Sequence, residues 1–199
     1  MVEFTPSSGH TEFDRLLDEL RGLADSKRMQ GNYLEELVRH FLEQDATWGA
    51  QFEHVWLWNQ WPGRSGADIG VDLVAQRPDG TLTAVQTKFF AESHRVSKND
   101  LNSFLEVMGR GMFTDGIWVD TTAVTWSGHA TEALKNRDKP VRTVGLDQLR
   151  HSNIDWSTYE VLNPSNAPKQ FERKQLRAHQ HRAVQQVMDA FVARLSAAR

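Results

Sequence analysis

The stretch between residues 71 and 89 constrains the fold of this chain more than any other feature of its sequence. Two largely apolar segments, residues 71–76 and 81–89, flank the tripeptide Pro78-Asp79-Gly80. Apolar and β-branched residues favour strands, and a Pro-Asp-Gly connection favours a tight turn. The stretch therefore predicts an antiparallel β-hairpin.

Helical and strand patterns on both sides of the hairpin predict a mixed α/β fold. Apolar residues at helical spacing indicate two opening helices, over about residues 13–23 and 31–45, with Arg28-Met29 in or beside their connection. Residues 54–58 have the aromatic and β-branched composition of a strand. After the hairpin, helices and strands alternate, over residues 97–108, 116–120, 126–136, 141–144 and 146–149. Alternation implies parallel strands, so we expect a mixed central β-sheet flanked by helices on both faces.

Composition is that of an ordinary folded protein and excludes several kinds of site. The chain is 39% hydrophobic and 25% charged, and no apolar run approaches 18 residues, so we expect no membrane segment. The first residues show no signal or transit pattern, which favours the cytoplasm. The absence of cysteine excludes disulfides, cysteine-ligated zinc and cysteine nucleophiles.

Charge is distributed unevenly along the chain. Residues 165–199 contain seven basic and two acidic side chains, whereas residues 1–164 contain 16 basic and 24 acidic side chains. Residues 163–168 have the Pro, Asn and Ser content of a linker, and residues 176–197 form an amphipathic helical pattern. We therefore predict one domain over residues 1–164, followed by a linker and coupling helix over residues 165–199.

Polar side chains interrupt the apolar strands of the predicted hairpin. Gln86 and Lys88 are two residues apart on one strand and therefore project from the same face. The position of Asp72 depends on the turn. A two-residue loop places Asp72 opposite Thr87 and on the wrong face, whereas a three-residue loop places it opposite Gln86. If the three residues share a site, the loop has an odd length or the strand contains a bulge.

Such a cluster suits metal-assisted hydrolysis of a phosphodiester. Asp72 can supply a carboxylate to Mg²⁺, and either the Gln86 side chain or the Thr87 backbone carbonyl can supply another oxygen. The metal would lower the pKa of a bound water and neutralise charge on the phosphate. Lys88 can hold the attacking water and stabilise the transition state. A carboxylate from a neighbouring helix would complete the metal shell.

The sequence resembles an Mrr-like nuclease of the PD-(D/E)XK restriction-endonuclease superfamily over about residues 28–150. Three pieces of sequence carry the resemblance: Gly31-Asn-Tyr-Leu34-Glu35-Glu36-Leu37-Val38, Asp68-Ile-Gly-Val-Asp72 and Gln86-Thr-Lys88. The resemblance implies that Asp72 is the catalytic aspartate, that Gln86 replaces the usual Asp or Glu, and that Lys88 is the catalytic lysine.

The same resemblance implies that Glu35 is the helix glutamate that supports the metal shell. Leu34 stands where the family usually has Phe, and the adjacent Glu36 leaves this assignment open by one residue. The implied function is Mg²⁺-dependent cleavage of double-stranded DNA, with Mn²⁺ as a substitute. One site cuts one strand, so a double-strand break implies a transient dimer on DNA or two visits.

Residues 176–184 resemble the Q motif that opens superfamily 2 helicase motors, in which Gln180 would contact adenine. The chain contains no Gly-x-x-x-x-Gly-Lys-[Ser/Thr] loop, so ATP would act only through an absent motor domain. The chain thus resembles the N-terminal nuclease module of a type ISP restriction-modification enzyme. In such an enzyme the same longer chain would supply helicase or translocase and methyltransferase or target-recognition domains.

The sequence also suggests residues that could contact DNA and two alternative functions. Trp61, Arg64 and Arg95 are candidates for DNA contacts. Asp68 suits a turn and would otherwise lie at the rim of the site. The alternative functions are a catalytically inactive nuclease fold that only binds DNA and a docking module that regulates a helicase.

Overall fold

The computed structural model describes residues 11–64, 70–161, 163–164 and 166–171. Asp68, Gln180 and the predicted helix over residues 176–197 lie outside these ranges. None of the helices within the ranges is long and apolar enough to cross a membrane.

A five-stranded mixed sheet forms the centre of the domain. Its strands, in spatial order, are β1 (His54–Leu57), β2 (Leu73–Gln76), β3 (Leu82–Lys88), β4 (Asp115–Asp120) and β5 (Val141–Val144). The pairs β1–β2 and β2–β3 are antiparallel, whereas β3–β4 and β4–β5 are parallel. This topology confirms the mixed sheet expected from a hairpin followed by alternating helices and strands.

Helices cover both faces of this sheet. They are α1 (Glu12–Leu23), α2 (Lys27–Gln44), α3 (Lys98–Gly109), α4 (Gly128–Ala133) and α5 (Leu146–Arg150). On β3, Val85 packs in the core that includes α1, α2 and α5, and Ala84 packs in the core that includes α3 and α4. Neighbouring strand residues point to opposite faces, which explains why a continuous apolar strand separates two cores.

Helix α2 begins four residues before the position that its apolar pattern predicts. The Ser26 hydroxyl accepts a hydrogen bond from the Met29 backbone N–H at 3.2 Å and caps the helix. Arg28 and Met29 therefore lie in the first turn of α2, beside the connection over residues 24–26 and not in it. The first turns carry few buried apolar residues, so hydrophobic periodicity detects the helix only from Leu34 onwards.

A small antiparallel sheet joins β6 (Ile154–Asp155) to β7 (Lys169–Gln170). The Gln170 side chain also donates a hydrogen bond to the Gln44 carbonyl at the end of α2, at 2.6 Å. The chain thus still contacts the domain beyond residue 164. The proposed boundary at that residue stays a prediction, because residues 172–199 lie outside the described ranges.

The β2–β3 hairpin has the odd-length loop that a shared site requires. The Arg77 N–H donates to the Thr81 carbonyl, and the Gly80 N–H donates to the Arg77 carbonyl, both at 2.9 Å. Pairing of Leu73 with Val85 continues the register so that Asp72 lies opposite Gln86. Gly80 has a φ of +83°, a left-handed conformation that glycine adopts without steric cost.

Replacement of Gly80 tests how far the turn stabilises this register. We expect Gly80→Ala to lower the free energy of unfolding by about 1–2 kcal/mol, because a Cβ disfavours the left-handed conformation. Gly80→Asn should cost less, since asparagine enters this region more readily. Urea unfolding followed by tryptophan fluorescence measures both values. Equal losses in the two variants would show that the left-handed turn is not the stabilising feature.

Candidate active site

A cleft of about 620 Å³ lies at the end of β3, beside the first half of α2. Of the residues predicted for the site or for DNA contacts, six line the cleft through side chain or backbone: Glu35, Arg64, Asp72, Gln86, Thr87 and Lys88. The structure thus brings together residues that lie up to 53 positions apart in the sequence.

Three donors from β3 converge on one oxygen of the Asp72 carboxylate. The Gln86 Nε2 donates to Asp72 Oδ2 at 2.5 Å, the Thr87 backbone N–H at 2.6 Å and the Thr87 hydroxyl at 3.0 Å. Hydrogen bonds to a carboxylate are charge-assisted, so this set holds the Asp72 side chain in a defined orientation. Sequence analysis considered Thr87 only for its backbone carbonyl and missed its hydroxyl.

The other end of the Gln86 amide is a buried oxygen without a partner. Gln86 is only 4% exposed, and its Oε1 accepts no hydrogen bond within the described ranges. If the amide were rotated by 180°, Oε1 would contact Asp72 Oδ2. Both atoms are hydrogen-bond acceptors and would repel each other, which supports the orientation described. A buried oxygen left unsatisfied costs about 1–3 kcal/mol, which a bound cation would recover.

Lys88 ends β3 and projects from the same side of the strand as Gln86. The residue is half-buried and lines the cleft. In the part of the chain that the structure describes, its ammonium group has neither a hydrogen bond nor an ion pair. This leaves a positive charge beside the carboxylate of Asp72, available to a phosphate or to a water molecule.

Helix α2 forms the second wall of the cleft and decides between two neighbouring glutamates. Glu35 lines the cleft, whereas Glu36 accepts a hydrogen bond from Arg39 Nε at 3.0 Å. Adjacent helical residues point about 100° apart, so only one of the two can face the site. Glu35 therefore faces the cleft, and its role as the family's helix glutamate stays a prediction.

The three predicted DNA-contact residues occupy different surroundings. Arg64 is exposed at the cleft, and Arg95 is exposed but is not among the residues that line it. Trp61 packs against Trp58, with ring centroids 5.5 Å apart, and it also covers Gly63. Trp58, the residue that Trp61 packs against, is buried and also lines the cleft.

Sequence analysis missed the basic and amide residues on the first turns of α2. Lys27, Arg28 and Asn32 all line the cleft. Arg28, Asn32 and Glu35 follow i, i+4, i+7 spacing and therefore share one helical face. This spacing was available as a signal, but it has meaning only if the helix starts at residue 27 rather than near residue 31.

The oxygen atoms that could bind a cation in the cleft include few carboxylates and are otherwise neutral oxygens. No group of three or more His, Asp or Glu side chains that could hold a metal occurs among the described residues. Asp72 and the orphaned Gln86 oxygen nevertheless fit a hard divalent cation, which accepts carboxylate, amide and water oxygens alike.

Comparison with known proteins identifies the family of this chain. The model of the Mrr catalytic domain, described as restriction endonuclease, matches residues 43–166, more than half of the chain. The chain belongs to the restriction endonuclease family. The matched residues of this restriction endonuclease domain include Asp72, Gln86 and Lys88, whereas Glu35 precedes them. Members of this family are DNA-cleaving hydrolases that usually depend on a divalent metal.

Two solved structures are similar to this restriction endonuclease domain. The ATP-dependent type ISP restriction-modification enzyme LlaBIII bound to DNA is 29% identical, with a TM-score of 0.73 over 93% of this chain. The chain spans only 11% of the length of that enzyme. The MspJI restriction endonuclease in complex with a 27-mer oligonucleotide is 22% identical, with a TM-score of 0.50. The similar region covers 75% of this chain and 34% of the MspJI chain, and the two share the fold. No curated protein matches the sequence.

Replacement of Gln86 by glutamate tests the bond that this residue donates to Asp72. Gln86→Glu removes the donor and places two carboxylates in contact. In EDTA we expect the free energy of unfolding to fall by about 1–3 kcal/mol. Addition of Mg²⁺ should recover much of this loss, because a cation between the two carboxylates removes their repulsion. Thermal and urea unfolding measure both effects.

Gln76→Glu is the matched control, since it makes the same charge change at the far end of β2. Its unfolding should respond little to Mg²⁺. If Gln86→Glu is as stable as the parent in EDTA, the Gln86–Asp72 bond does not exist as described.

Proposed function

We propose that this chain is the Mg²⁺-dependent nicking module of a translocating restriction-modification enzyme and hydrolyses phosphodiester bonds in double-stranded DNA. One observation carries the proposal: Asp72, Gln86 and Lys88 meet in one cleft, where Asp72 is held by three hydrogen bonds and the Gln86 oxygen has no partner within the described ranges.

Asp72 and Gln86 are the residues best placed to hold the cation. The Thr87 backbone carbonyl and Glu35 would complete the shell, either directly or through water. When bound, Mg²⁺ or Mn²⁺ lowers the pKa of a water molecule and neutralises charge that develops on the scissile phosphate. The hydrogen bonds to Asp72 keep its carboxylate oriented in advance, so little reorganisation is needed when substrate arrives.

Lys88 acts on the phosphate and on the attacking water. Its ammonium group lies on the same side of β3 as Gln86 and has no protein acceptor in the described ranges. In a cleft with limited water, an ammonium hydrogen bond to a non-bridging phosphate oxygen strengthens as negative charge grows in the transition state. The same group can orient a water molecule for attack on phosphorus.

The proposed substrate is duplex DNA delivered by other parts of a longer chain. The similarity to a type ISP enzyme over 93% of this chain supports a motor and methyltransferase or target-recognition domains as partners. ATP would act only through that motor, and Gln180 would belong to it. Residues 1–164 carry an excess of acidic side chains, so the isolated domain should bind DNA weakly at physiological salt. A transient dimer on DNA would supply the second cut.

Nicking of supercoiled plasmid at low salt tests this function. We expect nicking with Mg²⁺ or Mn²⁺ and none in EDTA. Asp72→Asn should abolish nicking, because it removes the anionic ligand while keeping the shape of the side chain. Lys88→Met should slow nicking by about 100-fold or more, as does loss of a single donor to a developing oxyanion.

Lys135→Met is the matched control, since Lys135 lies just after α4, pairs with Glu132 and is not among the residues that line the cleft. It should nick at the parent rate, and unfolding midpoints should show that all variants fold. Nicking that survives both Asp72→Asn and Lys88→Met would place the active site elsewhere. If the parent binds duplex DNA in Ca²⁺ but does not nick it with either Mg²⁺ or Mn²⁺, the chain is instead an inactive nuclease fold that binds DNA.

A further inference from the structure

Gly31 occupies a position in α2 that the packing of the protein does not explain. Glycine is among the least favourable residues for the interior of a helix, and Gly31 lies in the second turn of an 18-residue helix. Apart from its own helix backbone and chain neighbours, a Cβ built at Gly31 would meet no atom of the described residues within 4 Å. No close approach between the described elements therefore requires glycine here, yet the residue lines the cleft one helical turn before Glu35.

The side chains around Gly31 suit an anionic chain. Arg28, three residues earlier, is exposed at the cleft and has no hydrogen-bond or ion-pair partner among the described residues. Asn32 offers an amide on the same wall. Two basic residues in a first turn interact unfavourably with the positive end of a helix dipole, so the stability of α2 does not explain Lys27 and Arg28.

The floor of the cleft contains a further donor without an acceptor. Trp58 is 6% exposed and lines the cleft, and its indole Nε1 is buried without a hydrogen-bond acceptor within the described ranges. A buried N–H group left unsatisfied is unfavourable unless a ligand oxygen accepts from it. This donor is independent of the residues on α2 and belongs to another element.

We propose that Gly31 leaves room for the sugar-phosphate backbone of the strand that is cut, and that Arg28 binds a phosphate next to the scissile one. The proposal rests on the nuclease function proposed above and adds the path of the substrate strand along α2. Glycine permits the close approach of a backbone, and a guanidinium group matches the geometry of phosphate oxygens. Contacts of this kind position DNA and read no bases.

Substitutions at Gly31 separate this role from a structural one. Gly31→Ala and Gly31→Leu should raise the Tm by roughly 2 °C, since both residues favour helix and a Cβ at this position meets no atom of another described element. Nicking should nevertheless fall several-fold with alanine and about 100-fold with leucine, because a small displacement of the scissile phosphate is costly. A variant that is more stable yet less active cannot be explained by misfolding.

Gly109 provides the matched control for this series. It is the last residue of α3, and a Cβ there would meet no atom of another described element within 4 Å. The carbonyl of the next residue, Arg110, accepts a hydrogen bond from the side chain of Lys139. Lys139 lies two residues before the start of β5, so this contact places Gly109 near the amino end of that strand. The cleft lies at the opposite end of the parallel strands, so Gly109→Ala and Gly109→Leu should leave nicking unchanged.

A salt titration tests the phosphate contact of Arg28. The affinity of the full 199-residue chain for a labelled duplex is measured by fluorescence anisotropy in Ca²⁺. Arg28→Gln should reduce the slope of log K against log [salt] by about one, the value for one lost phosphate contact. Arg110→Gln makes the same charge change at the end of the parallel strands that is far from the cleft. It should keep the parent slope.

The outcomes distinguish the two proposals. If the parent nicks DNA but Gly31→Leu nicks as well as Gly109→Leu, the strand does not pass along α2 and only this inference fails. If Arg28→Gln keeps the parent slope of log K against log [salt], Arg28 does not bind a phosphate, and that part of this inference fails. If the parent neither nicks nor binds duplex DNA, the proposed nuclease function and this inference both fail.

Discussion

The hydrogen bonds that β3 donates to Asp72 are the interaction on which the site depends. They require Asp72 to lie opposite Gln86, and this pairing follows from the three-residue loop of the hairpin. A slip of one residue would move Asp72 to the other face of the sheet, away from Gln86 and Lys88. The left-handed Gly80 is therefore linked to the chemistry of residues at the opposite end of the hairpin.

Helix α2 serves the core and the cleft at the same time. Its apolar side, which includes Leu34, Leu37 and Phe41, is fully buried against the sheet. The opposite side presents Arg28 and Glu35 to the cleft. Because close-packed side chains hold the helix in place, they also fix where its backbone presents the polar residues on the other side.

The last described segment of the chain attaches to the far end of the same helix. The His40 ring is hydrogen-bonded to the Pro164 carbonyl at 2.7 Å, and Gln170 donates to the carbonyl of Gln44. The path towards residues 172–199 thus begins beside the helix that carries Glu35. The restriction endonuclease match ends at residue 166 and begins after most of α2, so the helix that forms one wall of the cleft lies largely outside the matched residues.

The sequence by itself determined the elements with strong local patterns. It predicted the hairpin, the alternation of helices and strands, and the shared face of Gln86 and Lys88, because strand and helix periods are local properties. It could say only that Asp72 would join them if the loop had an odd length or the strand contained a bulge. Tertiary structure decided which of Glu35 and Glu36 faces the cleft, where α2 begins, and that Trp61 packs on Trp58. The choice between the two glutamates depends on how the helix packs against distant segments. The start of α2 and the contact between the two tryptophans are local, but they depend on a helix cap and on ring orientations that apolar periodicity does not detect.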